Sequence, residues 1–119
     1  MKEKLIEELM GLPEAISIIE LDILDKNKKL QEINDLILDK EAEIKSNINA
    51  AQDDSGKKLY SNDQSRQLAF ISDCKEDAEL AGLYLNRTKI QNSIASSKIA
   101  IEKFSNHQRN IRAVIDHIN

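Results

Sequence analysis

Aromatic residues are almost absent: two Tyr, two Phe and no Trp in 119 residues. Three Gly and one Pro leave few places for tight turns. That scarcity excludes a β-sandwich or barrel, which needs frequent turn residues and strands rich in aromatic and β-branched side chains. A single cysteine, Cys74, excludes an internal disulfide and suits a reducing compartment. No apolar run approaches the roughly 20 residues of a membrane-spanning helix. The first residues, Met1-Lys2-Glu3-Lys4-Leu5-Ile6-Glu7-Glu8, are too acidic and too interrupted for a secretion signal. The expected location is the cytoplasm, with no membrane contact.

What is present is charge and aliphatic surface. Charged residues make up 32% and apolar residues 40%, the mixture of long helices and coiled coils. Enough apolar surface exists to oppose disorder. The net charge of −4 is uneven: residues 1–85 hold 11 Lys/Arg and 19 Asp/Glu, whereas residues 86–119 hold 6 and 2. A basic end after an acidic body either lies against the acidic N-terminal segment or contacts an external anion.

The apolar residues follow a seven-residue repeat. Spacing of four and three from Leu5 gives Leu5, Leu9, Leu12, Ile16, Ile19, Ile23, Lys26, Leu30, Ile33, Ile37, Lys40 and Ile44, ten of twelve apolar. Chance at this composition would give about five. The pattern runs through Gly11-Leu12-Pro13. Proline lacks the N–H and crowds the preceding turn, so the helix should kink or restart there. A short helix over 1–12 and a main helix over 13–50 are predicted. The polar stretch from Gln52 to Lys58, with Gly56, reads as part of a turn over 51–61. Ser61 and Gln64 have capping-box spacing, and Asn62 is a competing cap.

A second helix is predicted over 62–117, with no proline to stop it. Its rear part repeats as Leu80, Leu83, Arg87, Ile90, Ile94, Ser97, Ile101, Phe104, Gln108, Ile111, Ile115 and Ile118. The front part, Ile71, Cys74, Ala78, Ala81 and Leu85, keeps a different phase. The stripe therefore shifts between Ile71 and Leu80, as a stutter or a change of packing partner would make it do. Gly82 near the shift suggests close helix approach.

The expected fold is all-α: two long helices in an antiparallel coiled-coil hairpin, kinked near Pro13 and assembling into a helical bundle. One hairpin domain over 1–119 follows. Folding about residue 56 sets Lys98, Lys103, Arg109 and Arg112 opposite Glu3, Glu7, Glu8 and Glu14, and sets Lys40 near Asp73 and Glu76.

Apolar residues also lie outside the seam. Ile18, Leu21 and Leu24 occupy the back of the first helix; Ala81, Leu85 and Ile99, with Ala95, form a second row on the other. A helix that is apolar on two sides has two partners. Ile18, Leu21, Leu24, Ala81, Leu85 and Ile99 are thus the candidate oligomer face, and a dimer is the simplest assembly.

Chemistry is harder to find. His107 and His117 are ten residues apart, without the spacing of a metal pair. Cys74 sits between Asp73 and Glu76, which disfavours a thiolate nucleophile. Asp53-Asp54-Ser55-Gly56 lacks the ligand spacing of a calcium loop, and Gly56-Lys57-Lys58 lacks the rest of a phosphate loop. No catalytic residue, metal ligand or cofactor site is expected, and no enzyme. Lys98, Lys103, Arg109 and Arg112 form a candidate strip for nucleic acid, without aromatic platforms beside it.

The least generic segment is Lys58-Leu59-Tyr60-Ser61-Asn62-Asp63-Gln64-Ser65-Arg66. With its helical flanks it resembles small bacteriophage and prophage proteins that carry a K-x-Y-S-N-x-x-x-R connector between two long helices. The resemblance covers about ten residues and brings no catalytic residue with it. It implies a phage accessory role in the host cytoplasm, in genomes where such proteins often accompany recombination or single-strand-annealing genes. Tyr60, Asn62 and Arg66 become the candidate partner-binding tip. The same residues have a plain structural use: Tyr60 packs over the turn, Ser61 or Asn62 caps the helix and Arg66 reaches Asp63. The expected function is a non-enzymatic coiled-coil interaction protein that presents a helical surface to a protein partner. The alternative is a nucleic-acid-associated accessory factor in phage recombination or single-strand DNA handling.

Overall fold

The computed structural model describes residues 1–118. Among them the chain forms three helices and no strand: α1 over Lys2–Ala50, α2 over Asp63–Glu76 and α3 over Ala78–Ile118. Contacts divide the chain into two units. One joins Met1–Lys29 to the chain from Ile90 onward; the other is Leu30–Lys89.

The seven-residue repeat explains what is covered in each unit. All twelve predicted seam positions of α1, from Leu5 to Ile44, are buried or half-buried. Ile48, four residues beyond Ile44 and one past the next repeat position at Asn47, is buried as well. On α3 every predicted seam position from Leu80 to Ile115 is covered, and only Ile118 is exposed. In the first unit the most buried side chains are Leu12, Ile94 and Ile111. In the second they form one cluster: Ile37, Ile44, Ile48, Ala69, Cys74 and Leu80, with Ile33, Tyr60, Phe70, Leu83 and Tyr84 packed against it.

Pro13 does not restart the helix. The helix runs unbroken from Lys2 to Ala50 with Pro13 inside it, so the separate helix predicted over 1–12 does not form. Pro13 is exposed, and its ring lies on a face of the helix where water can replace a missing backbone bond.

The second predicted helix is divided, however. Asp77 stands between α2 and α3 in an extended conformation, φ −78° and ψ 110°. Its own N–H closes α2 onto the Asp73 carbonyl at 3.1 Å. Its carboxylate Oδ1 accepts from the Leu80 N–H at 2.9 Å, and its carbonyl accepts from Ala81 at 3.0 Å. One residue thus ends one helix and caps the next. The physical reason is the phase shift. In an unbroken helix Cys74 and Leu80 would point about 120° apart, yet both pack in the same cluster. Of the front phase read from sequence only Cys74 is buried: Ile71, Ala78, Ala81 and Leu85 are exposed, and Ala69 and Phe70 join Cys74 at the cluster. Gly82 is not a point of close approach, since an added Cβ would meet nothing within 4 Å.

The turn is more ordered than its polar composition suggests. Asp53 organises it: its Oδ1 accepts from the N–H groups of Ser55 and Lys57 and from the Ser55 hydroxyl at 2.6–3.0 Å. These bonds hold the Asp53 carboxyl below the usual carboxylate range, the Ser55 hydroxyl contributing most. Gly56 takes φ 82°, a conformation glycine adopts without steric cost. An isolated antiparallel bridge joins Gln52 and Lys58.

Candidate partner-binding surfaces

At the tip, Asn62 rather than Ser61 is the cap of α2. Its side-chain oxygen accepts from the Ser65 N–H at 2.8 Å, and the Ser65 hydroxyl lies 3.3 Å from the Asn62 N–H. The reciprocal box therefore uses Ser65, not Gln64, because the cap falls one residue later than the Ser61 spacing proposed. Arg66 pairs with Asp63, as the sequence suggested, and donates to the Tyr60 carbonyl at 3.3 Å. Tyr60 is half-buried against the cluster. Of the three candidate tip residues, only Asn62 is exposed; Tyr60 and Arg66 spend much of their surface on the fold. Beside them is a cleft of about 280 Å³ lined by Lys45, Ile48, Asn49, Arg66, Gln67 and Phe70, with the Lys45 ammonium 4.9 Å from the centre of the Phe70 ring.

A polar group sits deeper in the same unit. Lys40 reaches Asp77 at 3.4 Å and Glu79 at 3.3 Å, not the predicted Asp73 and Glu76. The break at Asp77 turns those two acids away. The Glu79 contact does most to raise the Lys40 pKa. The Leu80 N–H does most to lower that of Asp77, with Lys40 adding to it. The Tyr84 hydroxyl donates to Glu41 at 2.7 Å. That bond, reinforced by burial, pushes the phenol to about 12. Burial, then the charge of Glu41, raises the Cys74 thiol, so the thiolate needed for nucleophilic chemistry is disfavoured.

The candidate oligomer face is open to solvent. Ile18, Leu21 and Leu24 on α1 are 61%, 63% and 54% exposed, and Leu85 and Ile99 on α3 are 56% and 54% exposed. Ala81 is exposed too. In the first unit Ile18 borders an open groove whose other walls include Ser93, Ser96, Ser97 and Ala100. Sequence reasoning missed further exposed apolar residues, Leu36, Leu38, Leu59 and Leu68. They fall outside any repeat, so no periodic signal marked them.

The basic strip is neither paired nor continuous. Among the described residues Lys98, Lys103, Arg109 and Arg112 form no ion pair with Glu3, Glu7, Glu8 or Glu14. Glu8 instead meets His107 at 2.6 Å, and Arg109 donates to Asn106 at 2.5 Å. Burial of the apolar seam sets the contacts, and an exposed charge pair, worth well under 1 kcal/mol, does not override it. Helical spacing places Lys103 about 140° around α3 from Lys98. Glu102 and Asp116 share the Lys98 side.

Among the described residues no group of three His, Cys, Asp or Glu side chains is placed to hold a metal, and no helix is long and apolar enough to cross a membrane. Comparison with protein-family models, curated proteins and solved structures finds no match to this chain.

Proposed function

We propose that this protein is a non-enzymatic interaction module. In this reading α1 folds antiparallel to α2 and α3, the chain self-associates as a dimer, and an outer helical face receives a protein partner. The antiparallel course is supported inside each unit. In the first, Glu8 meets His107 and Lys26 meets Ser97. In the second, Glu41 meets Tyr84 and Lys45 meets Phe70. As numbers rise along α1, those of its contacts fall.

The observation that carries the function is the exposed row Ile18, Leu21 and Leu24. Spacing of three puts these side chains within about 120° of one another, opposite the buried seam. Apolar residues scattered singly need no explanation, but a contiguous row marks a contact surface. Light scattering across a concentration series tests the dimer. The native chain should run at twice the monomer mass, and Leu21→Glu should run as a folded monomer. A native chain that stays monomeric throughout would refute self-association.

A second reading, an accessory factor bound to nucleic acid, draws on the unpaired cations of α3. It is weakened by Glu102 and Asp116 among them. Salt-dependent binding of single-stranded DNA, lost in Lys98→Glu with Arg112→Glu, would favour it. The connector resemblance adds a proposed phage or prophage setting, which the neighbouring genes would test.

A further inference from the structure

The joint between α2 and α3 has an alternative geometry written into the same residues. Cys74-Lys75-Glu76-Asp77-Ala78-Glu79-Leu80 holds no Gly or Pro, and most of its residues are good helix formers. Nothing local forbids a continuous helix through Asp77. Two things oppose it: the capping bonds of Asp77 and the shared burial of Cys74 and Leu80.

The continuous form differs in a definite way. With Leu80 held in place, Cys74 turns about 120° away from its direction and Phe70 about 80°. Asp73 and Glu76, both exposed in the present form, move onto the Leu80 face, seven and four residues before it. Lys40 then keeps Glu79, which stays with Leu80 on α3, and gains Asp73 and Glu76 beside it. It has acidic partners in either state, so the cost of changing falls on the capping bonds of Asp77 and on the burial of Cys74 and Phe70. A packed element with two discrete arrangements of this kind is bistable rather than continuously deformable.

We propose that the α2–α3 joint is a conformational switch. In its second state Asp77 becomes helical, α2 and α3 fuse, and α2 rotates to bring Cys74 and Phe70 outward while Asp73 and Glu76 turn toward Lys40. Tyr60 packs against the same cluster as Phe70, so the rotation also repositions the tip. The proposal concerns folding of the second unit and does not depend on the dimer or on any partner.

Cys74 reports the state, being the only thiol and buried at 9% exposure. The full chain is treated with a small disulfide reagent at fixed pH, and the rate of Cys74 modification is measured beside helicity by circular dichroism. Asp77→Ala removes the cap and favours the fused helix. Modification should quicken about fivefold to tenfold, the population change expected from a lost cap, with helicity held or increased. Ala78→Pro provides the lock. Proline fits the first position of α3, holds residue 77 extended and cannot donate within a fused helix. In the double variant Asp77→Ala with Ala78→Pro, Cys74 should return to the native rate. An unchanged rate in Asp77→Ala overturns the proposal. So does a rise accompanied by loss of helicity, or a rise that the added proline does not suppress, since each describes local unfolding.

Discussion

The two units use the same repeat and reach different ends. Where Met1–Lys29 meets the chain from Ile90 onward, the seam is regular, most positions are half-buried, and deep burial is confined to Leu12, Ile94 and Ile111. In Leu30–Lys89 the repeat is interrupted at Asp77, and six side chains gather into one buried cluster. The polar contacts differ as well. The first unit has Lys26 with Ser97 and Glu8 with His107. The second surrounds its cluster with Tyr84–Glu41 and Lys40–Asp77–Glu79. A regular repeat covers a seam evenly but shallowly. Concentrated burial required a departure from the repeat, and the departure needed its own polar bonds.

The largest expected effect tests where stability is concentrated. Leu80, fully buried, should cost about 3–4 kcal/mol as Leu80→Ala, against about 2 for Ile94→Ala in the first unit. Urea unfolding measures both. An equal or larger loss at Ile94 would break the comparison.

Pro13→Ala probes the regular unit from the other side. It restores an N–H inside α1 and should stabilise by about 2 kcal/mol, less than an enclosed proline costs because Pro13 is exposed. Loss of stability would mean that the proline shapes packing the first unit requires.

Asn62→Ala should cost about 1 kcal/mol through loss of the α2 cap. Ser61→Ala should stay within about 0.5 kcal/mol. The reverse ranking in thermal melts would return the cap to Ser61.

The smallest loss expected from breaking a bond lies at Tyr84, where Tyr84→Phe should cost about 0.5–1 kcal/mol. The phenol titrates near 12 in the folded chain but near 10 when unfolded. Its folded pKa is raised, so its contribution is complete below about pH 10 and disappears as pH climbs through about 12. Tyr84→Phe should flatten that alkaline decline. An unaltered decline would place the dependence elsewhere.

Much of the fold is legible in the spacing of Leu and Ile. Helix content, the α1 seam from Leu5 to Ile44, the rear seam of α3 and the turn around Gly56 all follow from periodicity and turn chemistry. The phase shift between Ile71 and Leu80 marked the right place for a disturbance. Its cause was not legible, because Asp77 carries no helix-breaking ring or missing side chain. An aspartate becomes a cap only when burial on both sides makes a cap necessary. The one local signal was an acidic residue followed by Ala78 and Glu79, the composition of a first helical turn. Surface charge was the least legible feature. The predicted pairing of Lys98, Lys103, Arg109 and Arg112 did not form, since weak exposed pairs follow the register that apolar burial sets.

Among the candidate sites, sequence alone identified Ile18, Leu21, Leu24, Leu85 and Ile99 as apolar residues outside the seam, and they are exposed. It did not reveal that Tyr60 and Arg66 would be partly consumed by the fold. Local spacing is enough to choose a helix and its inner face, because both depend on residues three and four apart. Where a helix stops for a reason on its neighbour, as at Asp77, the choice belongs to packing between segments some 40 residues apart along the chain.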